Sequence, residues 1–138
     1  MKQITRLAFL FIGLFVSGSG YSQWTSQGSG LTTANRKIVD IVAVDPNTAW
    51  AVAKDNANAT PCRDFTRTTD GGLTWIPGIV NAAPTNYDFS NITAIDANTA
   101  WALMYNTAAT GGGIFKTTDG GANWVQQAAG LVFNGANS

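Results

Sequence analysis

The chain contains no histidine and no glutamate, and only one cysteine. Without His, a Ser–His–Asp or Cys–His nucleophile system has no base. Cys62 on its own can form neither an intrachain disulfide nor a Cys-based metal cluster; it reads as a plain loop residue after Pro61, with a reactive thiol or a pairing between chains as the alternatives. Charged residues make up 12% of the chain, against roughly 25% in an average domain. Eight basic residues balance eight acidic ones, all of them Asp. With no basic patch, nucleic acid is excluded as an expected partner. Helix-favouring Glu, Lys and Leu are scarce while Gly, Asn, Thr and Ala are plentiful, which favours turns and short strands.

A long hydrophobic run is missing too. The apolar stretch Leu7–Val16 has ten residues (16 − 7 + 1), short of the ~18 needed to span a membrane. Lys2 and Arg6 precede it, and Gly20 and Ser22 stand at −3 and −1 of a cut before Gln23. Residues 1–22 are therefore expected to be an export signal, with an uncleaved N-terminal anchor as the alternative. No Cys follows the run, so it does not look like a lipoprotein signal. Removing Lys2 and Arg6 leaves six basic and eight acidic residues, a net charge of −2 (6 − 8) and no transmembrane span.

What the chain does have is an internal repeat. Thr68-Thr69-Asp70-Gly71-Gly72-Leu73-Thr74-Trp75 returns as Thr117-Thr118-Asp119-Gly120-Gly121-Ala122-Asn123-Trp124, an offset of 49 (119 − 70). Glycine pairs supply the positive φ of a tight hairpin turn, and the Asp can accept backbone N–H groups inside it. Upstream, Ile41–Ala51 aligns with Ile92–Ala102 at an offset of 51 (92 − 41), so two residues are lost in the loops. A period near 50 lies in the range of β-propeller blades.

Each repeat reads as four strands of an antiparallel meander. The first repeat gives Asp40–Val44, Ala49–Lys54, about Arg63–Thr68, and Thr74 to about Ile76. The second gives Asn91–Ile95, Ala100–Tyr105, Gly113–Thr118 and Asn123–Gln127. Trp24 precedes Ile41 by 17 (41 − 24), as Trp75 precedes Ile92 (92 − 75), so Trp24 to about Ser29 reads as an orphan fourth strand. The expected fold is all-β, a partial β-propeller of two four-stranded antiparallel blades plus that orphan N-terminal strand. The expected divisions are a signal peptide at 1–22, the orphan closing strand and connection at 23–37, blades at 38–79 and 80–131, and at 132–138 a truncated connection to a further blade.

Thr-x-Asp-x-Gly-x-Thr-Trp at Thr68–Trp75 resembles the Asp-box of bacterial neuraminidase repeats, with Asn123 replacing Thr in the second copy. The resemblance covers roughly Gln23–Leu131 and implies a propeller with the box in the turn between a blade's third and fourth strands. Proteins with such boxes include sialidases, sortilin-type receptors, xyloglucan-cleaving enzymes, photosystem II assembly factors and many secreted bacterial proteins. The export signal looks most like the last group, some of which carry a C-terminal sorting domain for type IX secretion.

The resemblance assigns Thr68, Asp70, Gly72, Thr74, Trp75, Thr117, Asp119, Gly121 and Trp124 a structural role, not a catalytic or metal-binding one. Asp70 and Asp119 each stand alone, without the spaced acids of a calcium loop. A retaining sialidase needs a Tyr nucleophile with a Glu, an Asp acid/base and three arginines; this chain has no Glu, and Arg36, Arg63 and Arg67 match no such motif. Paired carboxylate chemistry, as of Asp55 with Asp64, is the formal catalytic option. The tryptophans could stack glycans, but their repeat register favours packing between sheets. Two sequons, Asn58-Ala59-Thr60 and Asn91-Ile92-Thr93, read as chance.

The function expected is a non-catalytic binding or scaffolding repeat module of an exported or cell-surface bacterial protein, a fragment of a larger propeller. It needs no cofactor and no metal, and its partner is a protein or a glycan. The alternative is the N-terminal part of a secreted glycan-active hydrolase whose catalytic residues lie past residue 138.

Overall fold

A computed structural model describes residues 26–128. They form eight strands: β1 Arg36–Ala43, β2 Ala49–Asp55, β3 Asp64–Thr68, β4 Ile76–Ile79, β5 Tyr87–Ala94, β6 Ala100–Asn106, β7 Gly112–Thr117 and β8 Val125–Ala128. Two four-stranded antiparallel sheets result, β1-β2-β3-β4 and β5-β6-β7-β8, each a meander with the strand order of a propeller blade. The fold is all-β, and the structural offsets reproduce the sequence ones. β1 and β2 recur 51 residues later as β5 and β6, and β4 recurs 49 later as β8 (125 − 76).

The first strands are longer than the sequence predicts. β1 and β5 begin at Arg36 and Tyr87 rather than Asp40 and Asn91, because a bulge interrupts each ladder, between Ile38 and Asp40 and between Phe89 and Asn91. The extra residues, Val39 and Ser90, break the alternation that pattern reading relies on. The fourth strands begin one residue after the tryptophans instead of at Thr74 and Asn123, since those residues are held within the box turns. The predicted orphan strand is not seen at Ser26–Ser29, which run as irregular chain; Trp24, the signal peptide and residues 129–138 lie outside the described residues. Gly30 does pass directly against the Trp75 backbone. Six residues past Trp75, Asn81 makes the corresponding approach to the next box, its Oδ1 accepting the Trp124 N–H at 3.1 Å. Residues around Gly30 thus hold the place of a preceding blade's β4–β5 connection.

The core lies between the sheets. β5 packs on β1 and β2. From the second blade Phe89, Ile92, Ala102, Met104, Phe115 and Trp124 face Trp50, Val52 and Phe65 of the first. Trp124 stands edge-on to Trp50 (centroids 6.4 Å, 82°) and to Phe65 (5.5 Å, 67°). Offset and edge-to-face arrangements suit the ring quadrupoles and add to the burial of three large side chains. Arg67 lies over the Trp50 ring (5.3 Å) and donates to the Ala97 carbonyl, while Trp50 Nε1 donates to Asp96 O at 3.1 Å. The two blades are joined by polar ties at the rim and aromatic packing behind it.

Candidate functional site

The two boxes are built alike. Asp70 Oδ1 accepts the Thr68 hydroxyl (2.8 Å) and the Thr74 N–H (2.9 Å), and Oδ2 accepts the Thr74 hydroxyl (2.5 Å). Thr68 Oγ1 accepts the Gly72 N–H. In the second copy Asp119 accepts Thr117, the Asn123 N–H (2.9 Å) and the Asn123 side-chain amide (2.8 Å). Gly71, Gly72, Gly120 and Gly121 all have positive φ, as such turns require. Gly71 and Gly120 donate to Asn47 O and Asn98 O, tying each box to the β1–β2 or β5–β6 turn beside it. Hydrogen bonds from the Thr74 hydroxyl, the Thr74 N–H and the Thr68 hydroxyl hold the Asp70 carboxyl down at about 2. Asp119 is lowered in the same way, first by the Asn123 N–H and then by its side chain. Each carboxylate is spent on its own turn.

The other sequence candidates are equally committed. Asp55 Oδ1 accepts the Ala57 N–H, and Oδ2 accepts the Ala59 and Thr60 N–H groups and the Thr60 hydroxyl. Asp64 pairs with Arg36 at 2.6 Å. The two acids therefore share no site. Arg63 donates to Ala83 O at 2.6 Å, so the three arginines hold three different structural contacts. Cys62 is buried at the entrance to β3, and burial pushes its thiol up to about 11, which makes it a poor nucleophile. Among the described residues no group of three or more acid, Cys or His side chains could hold a metal.

In a meander the β1–β2 and β3–β4 turns share one rim, so the β2–β3 and β6–β7 loops lie at the opposite end. There they enclose an open groove of about 910 Å³ between the blades, walled by residues of the 58–61 and 106–110 loops. A polar chain crosses its floor. Lys54 Nζ donates to Tyr105 Oη (3.2 Å), and the Tyr105 hydroxyl donates to Asp88 Oδ2 (3.4 Å). Asp88 Oδ1 accepts the Phe89 N–H at 2.9 Å. Burial raises the Asp88 carboxyl; the Lys54 charge and the Phe89 and Tyr105 hydrogen bonds oppose it. Lys54 also lies over the Tyr105 ring, 5.0 Å from its centroid. The ammonium donates to the phenol and the phenol to a carboxylate, so no nucleophile is activated. Two of the ammonium's three donors remain for a ligand.

Sequence reasoning missed this groove. The signal available was disagreement between the repeats. Lys54 aligns with Tyr105, and Lys37 with Asp88, at the same offset of 51 that matches alike residues elsewhere. Where a repeat departs from itself in charge, shared architecture is not the reason for the residue.

No protein-family model matches the chain, and no curated protein does. Among solved structures the chain is similar to one described as "YCF48 bound to D1 peptide", with a TM-score of 0.47 and 24% identity over 70% of this chain. The match spans 28% of that structure's chain.

Proposed function

We propose that the chain is a non-catalytic binding module of an exported or cell-surface bacterial protein, and that an extended protein segment lies across the groove at the loop end of the two blades. The observation that carries this reading is the Lys54–Tyr105–Asp88 chain on the groove floor. It offers free ammonium donors and a carboxylate but no activated nucleophile, an arrangement suited to pairing with peptide amides and side chains. A sugar would need an aromatic face to stack on, and Lys54 already covers that of Tyr105. Trp50 and Trp124 are consumed by the inter-blade core.

The test is panning of a displayed random-peptide library against the purified chain, with Lys54→Met and Tyr105→Phe as controls and an oligosaccharide array in parallel. Enriched peptides whose binding weakens about tenfold or more in both variants support the reading. An empty selection, or glycan binding indifferent to both substitutions, overturns it.

A further inference from the structure

The two blades meet at the groove with unequal charge. In the second blade Asp88 of β5 and Tyr105 of β6 are direct cross-strand partners, and the phenol donates to the carboxylate at 3.4 Å. The same two positions of the first blade hold Lys37 of β1 and Lys54 of β2, again direct partners. Cross-strand partners project from one face of a sheet, and like charges set opposite each other there repel. Lys54 points at the second blade, since it reaches Tyr105, so Lys37 stands beside it on that side. Neither lysine pairs with a carboxylate: among the described residues the ion pair is Arg36 with Asp64. The nearby acceptors are engaged already. Asp88 takes the Phe89 N–H and the Tyr105 hydroxyl, and Asp55 holds the turn that follows it. Asn106 Oδ1 accepts the Ala108 and Ala109 N–H groups and the Asn86 amide. What the groove has in surplus is positive charge and ammonium donors.

We infer that the bound segment sets the carboxylate of an Asp or Glu side chain against Lys54 and Lys37. The assignment rests on the groove being a peptide site. A carboxylate takes charge-assisted hydrogen bonds from both ammonium groups and relieves the repulsion between them. A basic side chain brought to the same place meets two like charges, so the groove also selects by repulsion. The carboxylate belongs to a side chain and not to a chain end, because a segment lying across the groove passes the floor with its interior. Lys54 has a second use inside the fold, in its contact with Tyr105. For Lys37 the ligand supplies the use: the second blade shows that Asp serves the fold equally well at that position.

Binding of defined peptide pools to the full chain tests it. The pools are short random peptides, acetylated and amidated, with one position fixed as Glu, Gln or Lys. The best Glu pool should be retained about tenfold more than its Gln counterpart, and the matching Lys pool least of all. Lys54→Glu should reverse that order in favour of the Lys pool. Lys37→Glu should narrow the preference for Glu without abolishing retention, and it carries the test if Lys54→Glu fails to fold beside Asp88. Far-UV circular dichroism checks the fold of both variants. Pools retained alike whatever the fixed residue, or a preference unchanged in a folded variant, overturn the acidic anchor and leave the peptide site standing. So does an acid preference that needs an unamidated end, which would assign the carboxylate to a chain terminus. If no pool is retained, the peptide site itself fails and the anchor with it.

Discussion

Asn123 holds Asp119 as Thr74 holds Asp70: its N–H meets Oδ1 and its side chain meets Oδ2, in both boxes. An amide and a hydroxyl are different groups, but each is a donor one short side chain away from the same backbone position. Asn123→Thr should therefore leave Tm within about two degrees, since an exchange that keeps the contact and stays at the surface costs within ±0.5 kcal/mol and 1 kcal/mol is worth about 4 °C in a domain of this size. Asp119→Ala and Asp70→Ala should each lower Tm by several degrees in a thermal melt while leaving peptide binding in the groove intact. Unchanged melting in both alanine variants would remove the structural role of the boxes.

The same carboxylates set an acid limit. Asp70 is held at about 2 against an ordinary 3.8, and Asp45, Asp55, Asp96 and Asp119 are lowered as well. A carboxyl lowered by folding stabilises the fold fully above its unfolded value, and that contribution is lost as pH falls through the folded one. Asp88, raised by burial, has the opposite sign. The balance predicts a urea midpoint that declines from about pH 4 to pH 2, with a shallower decline in Asp70→Asn. A midpoint independent of pH across that window would contradict it.

Trp124 is the key of the inter-blade core, standing against Trp50 and Phe65. Trp124→Ala should cost about 3–5 kcal/mol, the range for emptying a large aromatic site. Gly121→Ala should be of similar severity for a different reason: a Cβ there would collide with the Phe65 ring, at a backbone with φ +90°. Chemical denaturation of both variants checks this; a loss under 1 kcal/mol in either would mean that the blades are not coupled through this contact.

Cys62 is buried and its thiol is raised to about 11. The folded chain should resist alkylation by iodoacetamide at pH 8 for hours, and react fully once unfolded in urea. Rapid labelling of native protein would contradict the burial.

Export is the remaining expectation. The Leu7–Val16 run with Gly20 and Ser22 predicts a mature N-terminus at Gln23. Mass spectrometry of secreted protein reads it directly, and material still starting at Met1 would exclude cleavage.

The sequence by itself determined whatever is closed within a few residues. The box is one example: Thr68, Asp70 and Thr74 bond across two to four residues, so the motif implies the turn wherever it occurs. The meander is another, since short turns leave consecutive strands no partner but each other, and the offsets of 51 and 49 locate them. The bulges at Val39 and Ser90 escaped because an extra residue shifts the period by one, which an alternation reading takes for the end of a strand. Only the tertiary structure decided which tryptophan is core. Trp50 and Trp101 occupy the same place in the same motif, yet only the first is fully buried, because burial is set by the neighbouring sheet and not by the strand itself. The groove was settled at the same level. Asp88 and Tyr105, 17 residues apart, are cross-strand partners in the second blade, and Lys54, 51 residues before Tyr105, meets them because the two blades stand face to face and bring their loop ends together.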